Sequence, residues 1–236
     1  MSLGHGAKIT TDGLIFAIDG ANSKSYPGSG STVTDLIANR SVTMSGTNIS
    51  VNSDGNFTFN GSDDKMEIDS SLIDVGGDFT LSSSDDNYTL EAWIYVETSQ
   101  GTTTSADCII GNDTAVGVGM QVGANGSVPR VNYAARSTSN FYSSNLAYNQ
   151  WYHVCFSHQH GSFTRTFING SVDTTASSTS FDIASGTYGN MEIGNATGRV
   201  SGFFDGLMGP IRVYKKGLSD TEIKQNFAAQ KGRFNL

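Results

Sequence analysis

Disulfide frameworks, membrane spans and basic surfaces are all missing from this chain. Its 2 cysteines, Cys108 and Cys155, are too few to build a disulfide scaffold. Each lies in an apolar run (Cys108-Ile109-Ile110 and Val154-Cys155-Phe156), which predicts buried free thiols. No stretch approaches the roughly 18 apolar residues of a membrane helix. The opening Met1-Ser2-Leu3-Gly4-His5-Gly6 carries neither the basic nor the apolar region of a secretory signal. Charged residues make up only 15%, with 14 Lys and Arg against 22 Asp and Glu. The resulting net charge of −8 argues against a nucleic-acid partner, because phosphate contacts need clustered cations. Proline is limited to 3. Nucleophile-elbow Gly-x-Ser-x-Gly, the phosphate-binding Gly-x-x-x-x-Gly-Lys-Ser/Thr and paired Cys-x-x-Cys motifs do not occur.

What is abundant is glycine, at 28 residues, spread between short apolar runs. That pattern predicts many strands joined by tight turns. Gly13–Asp19 reads as a first, largely buried strand. Tyr88–Val96 is apolar at even positions and carries Trp93 and Tyr95 at odd ones, which predicts a central strand with one face in the core. Further strands are expected at 115–122, 128–134, 151–158 and 163–168. Asn169-Gly170 supplies the positive φ of a two-residue type I′ hairpin. Ser219-Asp220-Thr221-Glu222 is a capping box that opens one helix, over about 219–231, with Ile223, Phe227 and Ala228 as its apolar stripe. The expected organisation is an N-terminal arm over 1–11 and a single domain over 12–236.

Motifs in the last third come in a fixed order. They run Trp151-Tyr152-His153-Val154, Phe167-Ile168-Asn169-Gly170, Met191-Glu192-Ile193-Gly194-Asn195, Phe203-Phe204-Asp205-Gly206 and Ile211-Arg212-Val213-Tyr214, then Leu218-Ser219 with Glu222-Ile223. This series resembles the laminin-G-like, pentraxin-related branch of the concanavalin A-like lectin/glucanase superfamily. The resemblance implies an all-β, antiparallel two-sheet jelly-roll sandwich with one short C-terminal helix. The loop Asn22-Ser23-Lys24-Ser25-Tyr26-Pro27-Gly28-Ser29-Gly30-Ser31, followed by Asp35-Leu36, is similar to the start of sandwich domains in bacteriophage structural proteins. That likeness implies a virion component, assembled in host cytoplasm, whose partners are other virion proteins or identical subunits.

The superfamily's glycoside hydrolases carry two carboxylates on one strand, at a period-2 spacing that retention requires. Here Glu67, Glu91, Glu97, Glu192 and Glu222 are scattered, and Trp93 stands where a partner of Glu91 would lie. The expectation is therefore a protein that is not an enzyme. His158 and His160, two apart, read as a surface pair rather than a zinc or nickel site. Resemblance to pentraxins implies calcium at Asn112, Asp113 and Asn195, with Asx turns as the alternative, since Asn195-Ala196-Thr197-Gly198-Arg199 lacks the acidic run of those relatives. Asp63-Asp64, Asp19, Asn22 and Asp35 read as turn-capping residues.

A sugar site combines an aromatic platform with planar polar groups that read hydroxyls. Tyr133, Phe141, Tyr142 and Tyr148 lie in or near the Ser/Asn-rich segment 136–149, expected to form a loop surface for host glycans. The alternative is that these rings bury against the sandwich or a neighbouring subunit. Three readings follow: a virion structural protein, a carbohydrate-binding module and, last, a glycoside hydrolase.

Overall fold

The computed structural model describes residues 8–68, 87–97, 107–111, 118–125, 128–135, 139–176, 191–195 and 202–236. Two eight-stranded antiparallel sheets face each other. The first runs, edge to edge, β14 (Ser171–Ala176), β13 (Phe163–Ile168), β12 (Trp151–Gln159), β7 (Asn87–Val96), β16 (Asp205–Tyr214), β5 (Phe57–Asn60) and β4 (Ser50–Val51), with β1 (Leu14–Ile18) also paired to β16. The second runs β11 (Ser139–Asn145), β10 (Val128–Ala135), β9 (Val118–Asn125), β8 (Asp107–Gly111), β15 (Glu192–Ile193), β6 (Lys65–Ile68), β3 (Ser41–Ser45) and β2 (Thr32–Thr34).

Alternation along each strand sends one set of side chains between the sheets. On β7 these are Tyr88, Leu90, Ala92, Ile94 and Val96, all buried. The register lines Leu90 up with Phe156 on one side and Val213 on the other. Facing them from the second sheet are Val42, Met66, Ile110, Met120, Val122, Val131 and Tyr133. Cys108 and Cys155 are both buried free thiols, as their apolar runs predict.

The outer face of the first sheet is closed by the helix α1 (Asp220–Gln230) and the 3-10 turn Lys231–Phe234. Ser219 and Glu222 form the expected capping box at its start. Trp93, fully buried, lies between Phe227 and Phe234, with ring centroids 5.7 and 4.1 Å away and nearly parallel planes. Gly209 makes room for this stack: a Cβ there would lie 2.7 Å from the Phe234 ring. It sits beside Pro210 where the ladder between β16 and β7 slips, a place that tolerates a residue with no N–H.

Turn chemistry follows the sequence closely. Asn169 and Gly170 both have positive φ, at 51° and 73°, as a type I′ hairpin requires. Asp35, fully buried, accepts from the amides of Ala17, Ile37 and Ala38 and from Arg40. Asp64 accepts from the amides of Asn48 and Asn60. Asp19 accepts from the Ala21 amide, and Asn22 from that of Lys24. One expectation fails here. Ser139–Asn145, inside the segment read as a loop, is a strand paired with β10. Its serines and asparagines carry little strand propensity, and ladder pairing overrides that preference.

Candidate functional site

The outer face of the second sheet, turned away from the core, is polar and stripped of bulk along one row. Because Met120, Val122, Val131 and Tyr133 point inward, Gln121 and Asn132 must point outward. The ladder sets Cys108, Gln121, Asn132 and Tyr142 side by side across β8, β9, β10 and β11. In the next outward row, Glu67, Glu192, Gly111 and Gly119 are adjacent partners on β6, β15, β8 and β9. Gly111 and Gly119, both buried, add no side chains to this row, so backbone alone floors the trough between the Glu192 carboxylate and the far strands. The Gln121 amide leans over its floor, 3.4 Å from where a Gly119 Cβ would stand.

Several polar groups here are withdrawn from water yet lack partners. Gln121 is 4% exposed and its Nε2 has no hydrogen bond, and Glu192 is 6% exposed with Oε2 likewise unpaired. An unpaired buried amide or carboxylate oxygen costs about 1–3 kcal/mol, so each of these groups calls for a partner from outside the chain, a water or a ligand. At one end of the trough, Lys65 Nζ lies 2.7 Å from Glu67 Oε1 and 3.2 Å from Glu192 Oε1. Partial burial works against the ammonium, but these two carboxylates outweigh it and raise its pKa. At the other end the Arg130 guanidinium lies over the Tyr142 ring, 3.7 Å from its centroid.

Of the aromatic residues singled out from sequence, Tyr142 alone stands on this face, half-buried beside Asn132. Tyr133 is a correction: it is 1% exposed, stacks on Phe156 and donates to the Cys155 carbonyl, so it offers no platform. Burial raises its hydroxyl pKa well above the ordinary value. Phe141 and Tyr148 pack partly buried against the core. Burial, then the nearby Asp107 charge, raises the Tyr148 pKa.

Of the calcium candidates, Asn195 alone lies within the described residues. Asn112 and Asp113 lie outside the described residues. Asn195 is 2% exposed and follows β15. Because β15 and β8 are antiparallel, Glu192 pairs with Gly111 while the Gly194 amide reaches back to the Ile109 carbonyl. Asn195 therefore sits toward the start of β8. Among the described residues, no group of three or more His, Cys, Asp or Glu is placed to hold a metal ion. His158 is also a correction: it is fully buried, with Nδ1 2.8 Å from Thr164 Oγ1 and its ring against Tyr88, whereas His160 sits in the turn beyond β12.

A second polar cluster lies under α1. Glu91, fully buried, accepts from Arg212 Nη1 at 2.5 Å and from Asn226 Nδ2 at 2.6 Å, and His153 Nε2 stands 3.3 Å away. Burial alone pushes the carboxyl up, but the Arg212 charge and the His153 and Asn226 contacts prevail and hold its pKa at about 2. Asn226 also donates to the Tyr214 hydroxyl, and Arg212 to Gln230. Helix and strands close over this cluster, which makes it an internal tie rather than a site.

Sequence reasoning missed Gln121, Asn132, Arg130 and the meeting of Glu67 with Glu192. The available signal was a lone polar residue between apolar ones, in Met120-Gln121-Val122 and Val131-Asn132-Tyr133.

A family model described as the concanavalin A-like lectin/glucanases superfamily, of laminin G type, matches residues 60–224. No curated protein matches the chain in sequence. Among solved structures, a Trypanosoma rangeli sialidase in complex with sialic acid is similar, with a TM-score of 0.69 and 14% identity. The match covers 99% of this chain and 35% of the sialidase, so the chain spans about a third of that relative's length. Domain 4 of a GH43 extracellular arabinanase from Geobacillus stearothermophilus, in complex with arabinotriose, has a TM-score of 0.61 and 15% identity, over 91% of this chain and 98% of that domain. The binding domain of Botulinum neurotoxin DC, in complex with rat synaptotagmin II, has a TM-score of 0.61 and 14% identity, over 91% and 51%. Identities this low make the likeness one of fold.

Proposed function

This chain belongs to the concanavalin A-like lectin/glucanase superfamily, and from that premise we propose that it is a lectin-type module holding a carbohydrate in the trough of its second sheet. The observation that carries the reading is Gln121, whose buried, unpartnered amide leans over the glycine floor beside Asn132 and Tyr142. Amides and carboxylates read sugar hydroxyls, and an aromatic ring takes a pyranose face. The arabinanase domain that nearly matches this chain in extent was solved with an oligosaccharide bound, which supports the same reading.

The module is non-catalytic in this reading. Glu67 and Glu192 are cross-strand neighbours, but Lys65 Nζ occupies the space between them and binds both. Retaining hydrolysis needs one carboxyl free as nucleophile and one kept as a proton donor. Calorimetric titration against neutral and acidic oligosaccharides tests the binding. Gln121→Met is expected to weaken it roughly tenfold with an unchanged fold, by removing the amide that would bond a sugar hydroxyl while keeping the volume. Undiminished binding by that variant, or release of reducing sugar by the native chain, would sink the reading.

The likeness of the 22–31 loop to phage structural proteins favours a second reading, with the same face displayed on a virion surface. That loop and Val51–Gly55 wall an open polar cleft of about 510 Å³ on the sandwich edge. Co-sedimentation with assembled virions, and portal or capsid genes beside its own, would support it; free protein and unrelated neighbours would remove it. Among the described residues no helix is long and apolar enough to cross a membrane.

A further inference from the structure

We infer that the ligand in the trough is an acidic oligosaccharide whose carboxylate is taken by Arg130, a step that rests on the lectin reading above. The arginines elsewhere in the described chain each hold a carboxylate: Arg40 with Asp35, Arg165 with Asp220, Arg212 with Glu91 and Arg233 with Asp19. Arg130 holds none among the described residues, and its buried Nε has no hydrogen-bond partner. Desolvating a guanidinium N–H without an acceptor is costly, more so than for a neutral donor. The Tyr142 ring lies 3.7 Å from the guanidinium carbon and covers one face of the plane. Stacking fixes the orientation of that plane and leaves its edge for a planar anion.

A carboxylate is the anion that matches this edge, with two oxygens at the spacing of the guanidinium fork. The rest of the trough does not ask for charge. Glu192 already shares Lys65 through Oε1, and its unpaired Oε2 needs only a donor, which a sugar hydroxyl provides. Gln121 offers an amide N–H to a hydroxyl oxygen. From Glu192 on β15 to Arg130 on β10 is three strand steps across and four residues along the ladder, about 20 Å between backbone positions. That span suits a chain of sugars carrying an acid group near one end rather than a single ring.

Trigalacturonic acid and 3′-sialyllactose, each beside its carboxyl-reduced form, are the probes, measured by calorimetry on the intact chain. For at least one pair, the acidic form is expected to bind tenfold or more tighter than its reduced partner, the scale of a charge-assisted hydrogen bond. Arg130→Gln should erase that preference, whereas Gln121→Met should weaken both members of the pair alike. A preference that survives Arg130→Gln overturns the assignment of Arg130. Equal binding of acidic and reduced forms, lost in Gln121→Met, overturns the acidic ligand and leaves the lectin reading standing. No binding of either pair or of neutral oligosaccharides overturns both.

Discussion

Glu91 is a carboxylate with no access to water, tied at once to Arg212, His153 and Asn226. Its pKa is depressed from an ordinary 4.5 to about 2, so the stability it contributes is complete above pH 4.5 and is lost as the pH falls toward 2. The shift corresponds to about 3 kcal/mol. Urea unfolding at pH 5.5, 4, 3 and 2.5 is expected to show stability falling through that window. In Glu91→Gln the fall should be smaller, because the titrating group is gone; an identical fall would place the acid sensitivity elsewhere. Arg212→Met should cost about 3–5 kcal/mol, since it strands a buried charge. Glu91 was legible in the sequence only as a polar strand residue. Its partner Arg212 lies on β16, and nothing local to either residue announces the pair. The same limit hid Glu67 and Glu192, read as scattered and found adjacent on β6 and β15.

Elements whose signals are local were legible: the Ser219 capping box, the Asn169-Gly170 hairpin and the alternation of β7 all encode their structure within a few residues. β11 was not, because Ser139-Asn140 and Ser143-Ser144-Asn145 read as loop until β10 pairs with them. The C-terminal turn shows how an element gains its role from another. Phe234 lies 4.6 Å from the Trp151 ring as well as against Trp93, so the last residues seal the first sheet's outer face. Phe234→Ala is expected to destabilise the protein by about 3–5 kcal/mol, the cost of emptying a buried aromatic site. Tryptophan emission in the folded state should shift to longer wavelength as water reaches Trp93. A change below 1 kcal/mol with unshifted emission would show that the turn adds little to the seal.

At the scale of the molecule the two sheets differ in what covers them. The first has its outer face closed by α1 and aromatic rings, while the second turns a row of amides, charges and glycines away from the core. The sandwich itself was legible, because ordered motifs and period-2 runs specify strands one at a time. The site was not, since Gln121, Asn132 and Tyr142 become neighbours only when three strands take their register. Tyr142 could be named in advance as an aromatic in a polar segment, but the glycine floor had no local meaning. Gly119 offers a test of that floor which spares the fold. Its backbone does not require positive φ, and an added Cβ would meet Gln121 Nε2 at 3.4 Å and the Ile110 carbonyl at 3.8 Å, ordinary contacts. Valine suits a strand and projects into the trough without entering the core. Gly119 is itself buried, so Gly119→Val is expected to cost about 1–3 kcal/mol of unfolding free energy while leaving the chain folded. Oligosaccharide affinity should fall more than tenfold in the same variant, because its methyl groups stand where the ligand lies and lack polar partners for it. Full affinity in a stably folded Gly119→Val would show that the sugar rests elsewhere on the sandwich.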